Sequence, residues 1–169
     1  IEYDSLLVGD KNAIIIAARI LGYGKDYSFT VSNPNNPEDK VKISLDLTEI
    51  NPKPVSETLQ KANHNNEFFF TLPNTKTEVS FKLLSNGDEK KIDAEIQGIK
   101  KIKPSSSPNI TTRLKHMLLS VGGERDSKSI REFVDNQLLA QDSRALREYA
   151  LNLSPDINLV YSYDFGRGS

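Results

Sequence analysis

Every residue from Ala13 to Leu21 is apolar except Arg19, and Gly22 follows. Few architectures accommodate such a run. It falls well short of the ~20 residues a transmembrane helix needs, and its apolar residues occupy nearly the whole circumference, a pattern that belongs to buried helices. It therefore predicts a central helix of a soluble fold, capped by Asp10 and stopped at Gly22. Arg19 is the exception on that helix. Its permanent charge would cost several kcal/mol to bury alone, so a carboxylate or a group of carbonyls should meet it. A structural ion pair is its expected role.

Two half-buried strands follow, because Tyr27, Phe29 and Val31 alternate with Ser28, Thr30 and Ser32, and Val41, Ile43 and Leu45 alternate with Lys42 and Ser44. Between them, Asn33, Pro34, Asn35, Asn36, Pro37, Glu38 and Asp39 lead to Lys40. This stretch is longer than a two-residue hairpin turn, and its prolines and asparagines favour turn geometry. It has two readings, a solvated hairpin tip and a recognition loop, and it is the candidate interaction site.

Pro52 and Pro54 open a connection in which Val55 to Ala62 could wind two helical turns. A second hairpin is expected from Phe68-Phe69-Phe70-Thr71-Leu72 and Glu78-Val79-Ser80-Phe81-Lys82-Leu83, with aromatics on its core side. Ser85 and Asp88 form a capping-box pattern before a surface helix bearing Ile92, Ile96 and Ile99. Lys103 to Asn109, rich in Ser and Pro, is a linker candidate.

Three short helices should follow. Leu114, Met117, Leu118 and Val121 share one face before Gly122-Gly123; Ile130, Phe133, Val134 and Leu138 mark the second, capped by Asp126 or Ser127; Asp142 caps the third. Ile157, Leu159, Tyr161, Tyr163 and Phe165 then alternate as a final strand. The expected fold is α+β: antiparallel hairpins packed on a central apolar helix, a C-terminal cluster of short helices and a final strand. The expected division is 1–102 as helix plus two hairpins, 103–109 as linker and 110–169 as helical cluster ending in a strand, read as parts of one continuous domain. Ile1 and the Gly166-Arg167-Gly168-Ser169 ending read as the cut ends of a fragment.

Charge and chemistry narrow the function classes. Lys plus Arg number 22 and Asp plus Glu 23, so there is no global field to hold nucleic acid or an anionic membrane. Cysteine is absent, which removes disulfides, thiolate metal sites and thiol nucleophiles together. There is no Gly-rich phosphate loop, nucleophile elbow or His-Glu-x-x-His, and His64 and His116 have no local partners at metal-ligand spacing. Asp142-Ser143-Arg144 could pass for a catalytic tripeptide, but a helix cap explains it. Glu95 and Asp126 could be nominated as paired carboxylates only arbitrarily. The expectation is a non-enzymatic chain without cofactor, metal or membrane partner. Lysines 90, 91, 100, 101 and 103 supply the alternative, a nucleic-acid or host-factor binding face, although Glu89, Asp93 and Glu95 offset them.

A set of ordered phrases adds to this. Asp4-Ser5-Leu6-Leu7-Val8-Gly9-Asp10-Lys11, Ala18-Arg19-Ile20-Leu21-Gly22-Tyr23-Gly24-Lys25-Asp26-Tyr27-Ser28-Phe29, Asp46-Leu47-Thr48, Leu72-Pro73, Phe81-Lys82-Leu83-Leu84, Asp88-Glu89, Ser120-Val121-Gly122-Gly123 and Asp142-Ser143-Arg144-Ala145-Leu146-Arg147 occur in sequence along the whole chain. Together they resemble the T-even-type bacteriophage baseplate family, which acts in building the hub of contractile tails. The resemblance implies a hub component or assembly factor that binds other hub or spike proteins, in the host cytoplasm during assembly and with the virion baseplate as a further location. Members of that family often carry Cys-x-x-Cys pairs at the first and last hairpin tips. Here those places hold Asn33 to Asn36 and Asp164 to Gly168, so no metal site is implied.

Overall fold

A computed structural model describes residues 2–54, 66–157, 160 and 162–165. Among them are five α-helices and two antiparallel sheets, a mixed α+β fold with a C-terminal cluster of helices. The chain forms two compact units, Ile1–Val8 with Pro54–Pro155, and Gly9–Lys53 with Asp156–Ser169.

In the unit containing Gly9–Lys53, helix α1 (Val8–Tyr23) absorbs both expected boundary residues. Asp10 lies in its first turn, and the helix continues through Gly22. Gly24 stops it instead, with φ at +84° and its N–H donating to the Ile20 carbonyl at 2.9 Å; glycine adopts this left-handed conformation without the penalty a Cβ brings. Strands β1 (Asp26–Asn33) and β2 (Asn36–Asp46) pair from Asp26 with Asp46 to Val31 with Val41. The register holds to Ser32 with Lys40 and then slips, so that Asn33 faces Asn36.

The loop expected from Asn33 to Lys40 is thus a two-residue turn, Pro34-Asn35, beside an irregular start to β2. Asn33 makes this closure possible: its Oδ1 accepts from the Asn35 N–H at 3.0 Å and its Nδ2 donates to Asp39 at 3.1 Å. Pro37, which has no N–H for a ladder, falls where the pairing is irregular.

The same unit corrects the expectation of a central helix. Its buried described residues are Gly9, Ile43 and Leu47 alone. Ile14 and Ile15 are about half exposed, at 48% and 52%, and Leu21 is 89% exposed. The expected final strand is likewise reduced: Ile157 bridges Pro52, the described residues 160 and 162–165 lie in no strand, and the others lie outside the described residues. The turns expected over Val55 to Ala62 also lie outside them.

The hydrophobic core belongs to the other unit. Strands β3 (Phe68–Thr71), β4 (Glu78–Phe81) and β5 (Leu118–Val121) form a sheet in that order. Alternation sends Phe68 and Phe81 inward and leaves Phe69 in solvent, while Phe70 stacks on Tyr149 with ring centroids 4.8 Å apart. Leu118 to Val121, expected to extend a helix, pairs with β4 instead; the buried Ser80 and Ser120 hydroxyls meet at 2.6 Å across that pairing.

Helix α2 (Asn86–Ile102) opens with the full reciprocal capping box of Ser85 and Asp88, and fully buries only Ile92 of its apolar stripe. The 103–109 stretch joins it to α3 (Asn109–Met117) inside this unit, so it does not separate the two units. Asp126 caps α4 (Ser127–Asn136) by accepting from the Lys128 and Ser129 N–H groups. Side chains including Leu72, Leu114, Phe133 and Leu146 complete the core.

Asp142 is not the cap of α5 (Ala140–Leu153). Leu139 holds that place, and Asp142 sits in the first turn with no exposed surface. Its carboxylate accepts the backbone N–H and side-chain amide of Asn74, each at 2.8 Å, and the Thr75 N–H at 3.1 Å. It thereby ties the β3–β4 turn to the helix.

Phe81→Ala should cost about 3–5 kcal/mol, whereas Ile14→Ser should change stability by about 0.5 kcal/mol or less. Chemical denaturation of both variants checks where the core lies. Asp142→Ala should lower Tm by several degrees in a thermal melt, because three donors lose their acceptor inside the protein.

Candidate functional site

The apolar surface that α1 leaves uncovered is part of a groove. Ile15, Ile16 and Arg19 lie at helical spacing on one side, and Tyr27, Phe29 and Leu45 come from the hairpin. Tyr27 and Leu45 are register partners and Phe29 is two residues from Tyr27, so all three project from one face of the sheet. Leu47 and Glu49 of the 3₁₀ turn Leu47–Glu49, together with Ile50, Asn51 and Val160, also line the groove. The open cavity measures about 790 Å³ and is mostly apolar, within the size range of ligand and peptide clefts.

Two polar devices shape its edge. Asp46 accepts from Lys25 and from the N–H and hydroxyl of Thr48, which pins the turn carrying Leu47 into the wall. The Lys25 hydrogen bond first, then those from Thr48, hold its carboxyl down at about 2 against an ordinary 3.8. Arg19 meets no carboxylate at ion-pair distance among the described residues, so the expected ion pair is replaced by other partners. Its Nη1 donates to the Gly24 carbonyl at 3.1 Å, and its guanidinium lies 4.9 Å from the Tyr23 ring centroid and 5.9 Å from that of Tyr27. Cation–π attraction and one carbonyl therefore hold the charge at the groove.

The other candidate residues are dispersed. Residues 34–39 of the hairpin tip are exposed, and Asn33 is half-buried. Glu89 is held by Arg113 through two hydrogen bonds at 2.8 and 2.6 Å. Glu95 accepts from Arg131 and from the His116 ring, and the Arg131 hydrogen bonds, with the His116 bond adding to them against burial, lower its carboxyl to about 2. These contacts fasten α2 to α3 and α4. Lys90 is paired with Asp4 at 2.6 Å. Lys91, Lys100, Lys101 and Lys103 are exposed. His64 lies outside the described residues, and the described residues contain no group of three or more His, Asp or Glu placed to hold a metal. No described helix is long and apolar enough to cross a membrane.

Sequence reasoning missed the tyrosines around Arg19. Tyr23 stands four residues after Arg19 on the same helix, a spacing that places the two side chains together; Tyr27 required knowledge of where the hairpin folds back. No family model, curated protein or solved structure matches the chain.

The Asp46 geometry carries a pH dependence. Because its carboxyl is lowered, the stabilisation it provides is complete above the ordinary value of 3.8 and is lost as pH falls through about 2. In an NMR titration the Thr48 amide should shift with a midpoint near 2 in the native chain, and Asp46→Asn should remove that transition. A midpoint at the ordinary carboxylate value would contradict the Asp46 contacts.

Proposed function

We propose that this chain is a non-enzymatic protein-binding component of a contractile phage tail baseplate hub, or a factor in hub assembly. The observation that carries the protein-binding part is the uncovered apolar surface of α1 and its groove. An all-round apolar helix belongs inside a core, and the chain's own unit buries only Gly9 of it. Covering the helix with a partner would complete that burial; at about 25 cal/mol per Å² even a modest apolar contact area contributes several kcal/mol. The hub assignment rests on the ordered phrases from Asp4 to Arg147. Hub or spike proteins would be the partners, the host cytoplasm and the virion baseplate the places of contact, and the Asn33 to Asp39 tip, exposed from Pro34 onward, a second contact.

A second reading has one specific observation behind it. Glu89 and Glu95 are taken up by Arg113, Arg131 and His116, which leaves the exposed lysines of α2 less offset than the sequence suggests. Nucleic-acid binding by that face would fall steeply with salt.

Affinity purification of the tagged chain from infected cells during tail assembly, followed by mass spectrometry, tests both readings. Hub and spike proteins should be retained at high salt, and Ile15→Glu should reduce their recovery at least tenfold. Recovery of nucleic acid alone, lost as salt rises, would favour the lysine face.

A further inference from the structure

We infer that the end of the α2–α3 pair, where residues 103–109 join the two helices, docks on the surface of an anionic lipid bilayer. Ile102, the last residue of α2, stands 81% exposed, and Ile110, in the first turn of α3, is 47% exposed. Lys100, Lys101 and Lys103 flank Ile102 and are exposed as well. No Asp or Glu occurs between Glu95 and Glu124, so a chain of nearly zero net charge carries a locally cationic end. Elsewhere on these two helices cations are already paired, Lys90 with Asp4, Arg113 with Glu89 and Lys115 with Asp135. Among the described residues, Lys100, Lys101 and Lys103 meet no carboxylate at ion-pair distance.

The dipole of α2 accounts for lysines in its last turn. It does not account for an isoleucine projecting among them, which holds apolar surface in water. The partner that suits this end has anions over an apolar interior. A bilayer containing acidic lipid is built that way at every point of its surface: the isoleucines enter the interface, the lysine stems lie along it, and the ammonium groups stay among the headgroups. A nucleic acid brings anions without an aliphatic layer, and its apolar faces are bases that aromatic side chains stack on; residues 99–111 include no aromatic. The end is also ordered before contact. The Ser106 N–H and hydroxyl both donate to the Lys103 carbonyl, at 3.0 and 2.7 Å, and the Thr111 hydroxyl donates to the Pro108 carbonyl at 3.1 Å. Less conformational freedom is then lost on docking. This surface is independent of the α1 groove and of the hub reading.

The chain contains no tryptophan, so Ile102→Trp introduces a single reporter at an exposed position. The full chain is mixed with phosphatidylcholine vesicles, with or without phosphatidylserine, and binding is read by co-sedimentation and by the emission of that reporter. The expected result is co-sedimentation with the phosphatidylserine vesicles only, weakening as salt rises, and a blue shift of the tryptophan. Replacing Lys100, Lys101 and Lys103 together by Gln should weaken binding about a hundredfold, at about fivefold for each lysine. Ile102→Ser should weaken it roughly tenfold, whereas Ile15→Glu should leave it unchanged. No co-sedimentation, or binding without a blue shift, overturns the inference. Binding that Ile15→Glu abolishes and Ile102→Ser leaves intact also overturns it, by giving the lipid contact to α1. So does retention of an oligonucleotide or of hub proteins that the triple variant abolishes while vesicles stay unbound, because the lysines then serve that partner. Failure of the hub purification with vesicle binding intact discards the hub reading alone.

Discussion

The buried carboxylate of Asp142 is the contact on which the larger unit turns. It has no exposed surface, and it is satisfied by N–H donors from one tight turn. Burial raises a carboxyl pKa, but the Asn74 and Thr75 hydrogen bonds outweigh it and hold the group below its ordinary value, so it remains charged. Its place in the first turn of α5 adds the favourable field of a helix N-terminus. One side chain thus fixes the β3–β4 hairpin against α5, and the stack of Phe70 on Tyr149 depends on the same alignment. Hydrophobic burial supplies most of the driving force there, but it is non-directional. The carboxylate supplies direction.

The smaller unit has no comparable centre. A helix and a two-stranded hairpin present little apolar surface to one another, and among the described residues of this unit only Ile43 and Leu47 are buried large side chains. Local devices hold it in shape instead. The Gly24 stop, the Asn33 turn, the Lys25–Asp46 pair and the bridge from Pro52 to Ile157 each fix a short stretch. Such contacts define a backbone rather than a core, and the groove lies between the elements they hold.

This explains what could be read from the sequence. Signals confined to a few neighbouring residues were legible: the Ser85–Asp88 box, the Asp126 cap and the alternation of both hairpins all have local causes. Signals that depend on a distant partner were not. Leu118 to Val121 fits a helical stripe as well as a strand, and only pairing with β4 decides between them. Asp142 resembles a helix cap because its true acceptor role serves donors about seventy residues away. The centrality of α1 failed for a related reason: an apolar circumference says that a helix should be covered, without saying that its own chain does the covering. The groove was half legible, since its apolar side chains are the alternating residues of the first hairpin, while its charge at Arg19 was expected to be neutralised internally.

That last failure has a physical consequence for recognition. Among the described residues no carboxylate meets Arg19 at ion-pair distance, and the groove it lines with Asp46 and Glu49 carries charges of both signs. Aromatic rings stabilise a guanidinium without cancelling its charge, so the Tyr23 and Tyr27 rings keep the cation in place at the groove. Specificity is a difference between affinities, and it often requires a feature that penalises the wrong partner. A charged side chain beside apolar walls is a feature of that kind, because any surface that covers it must replace its water. The sparse packing among the described residues of the smaller unit and the charge held at its groove therefore arise from one arrangement, α1 held beside the hairpin.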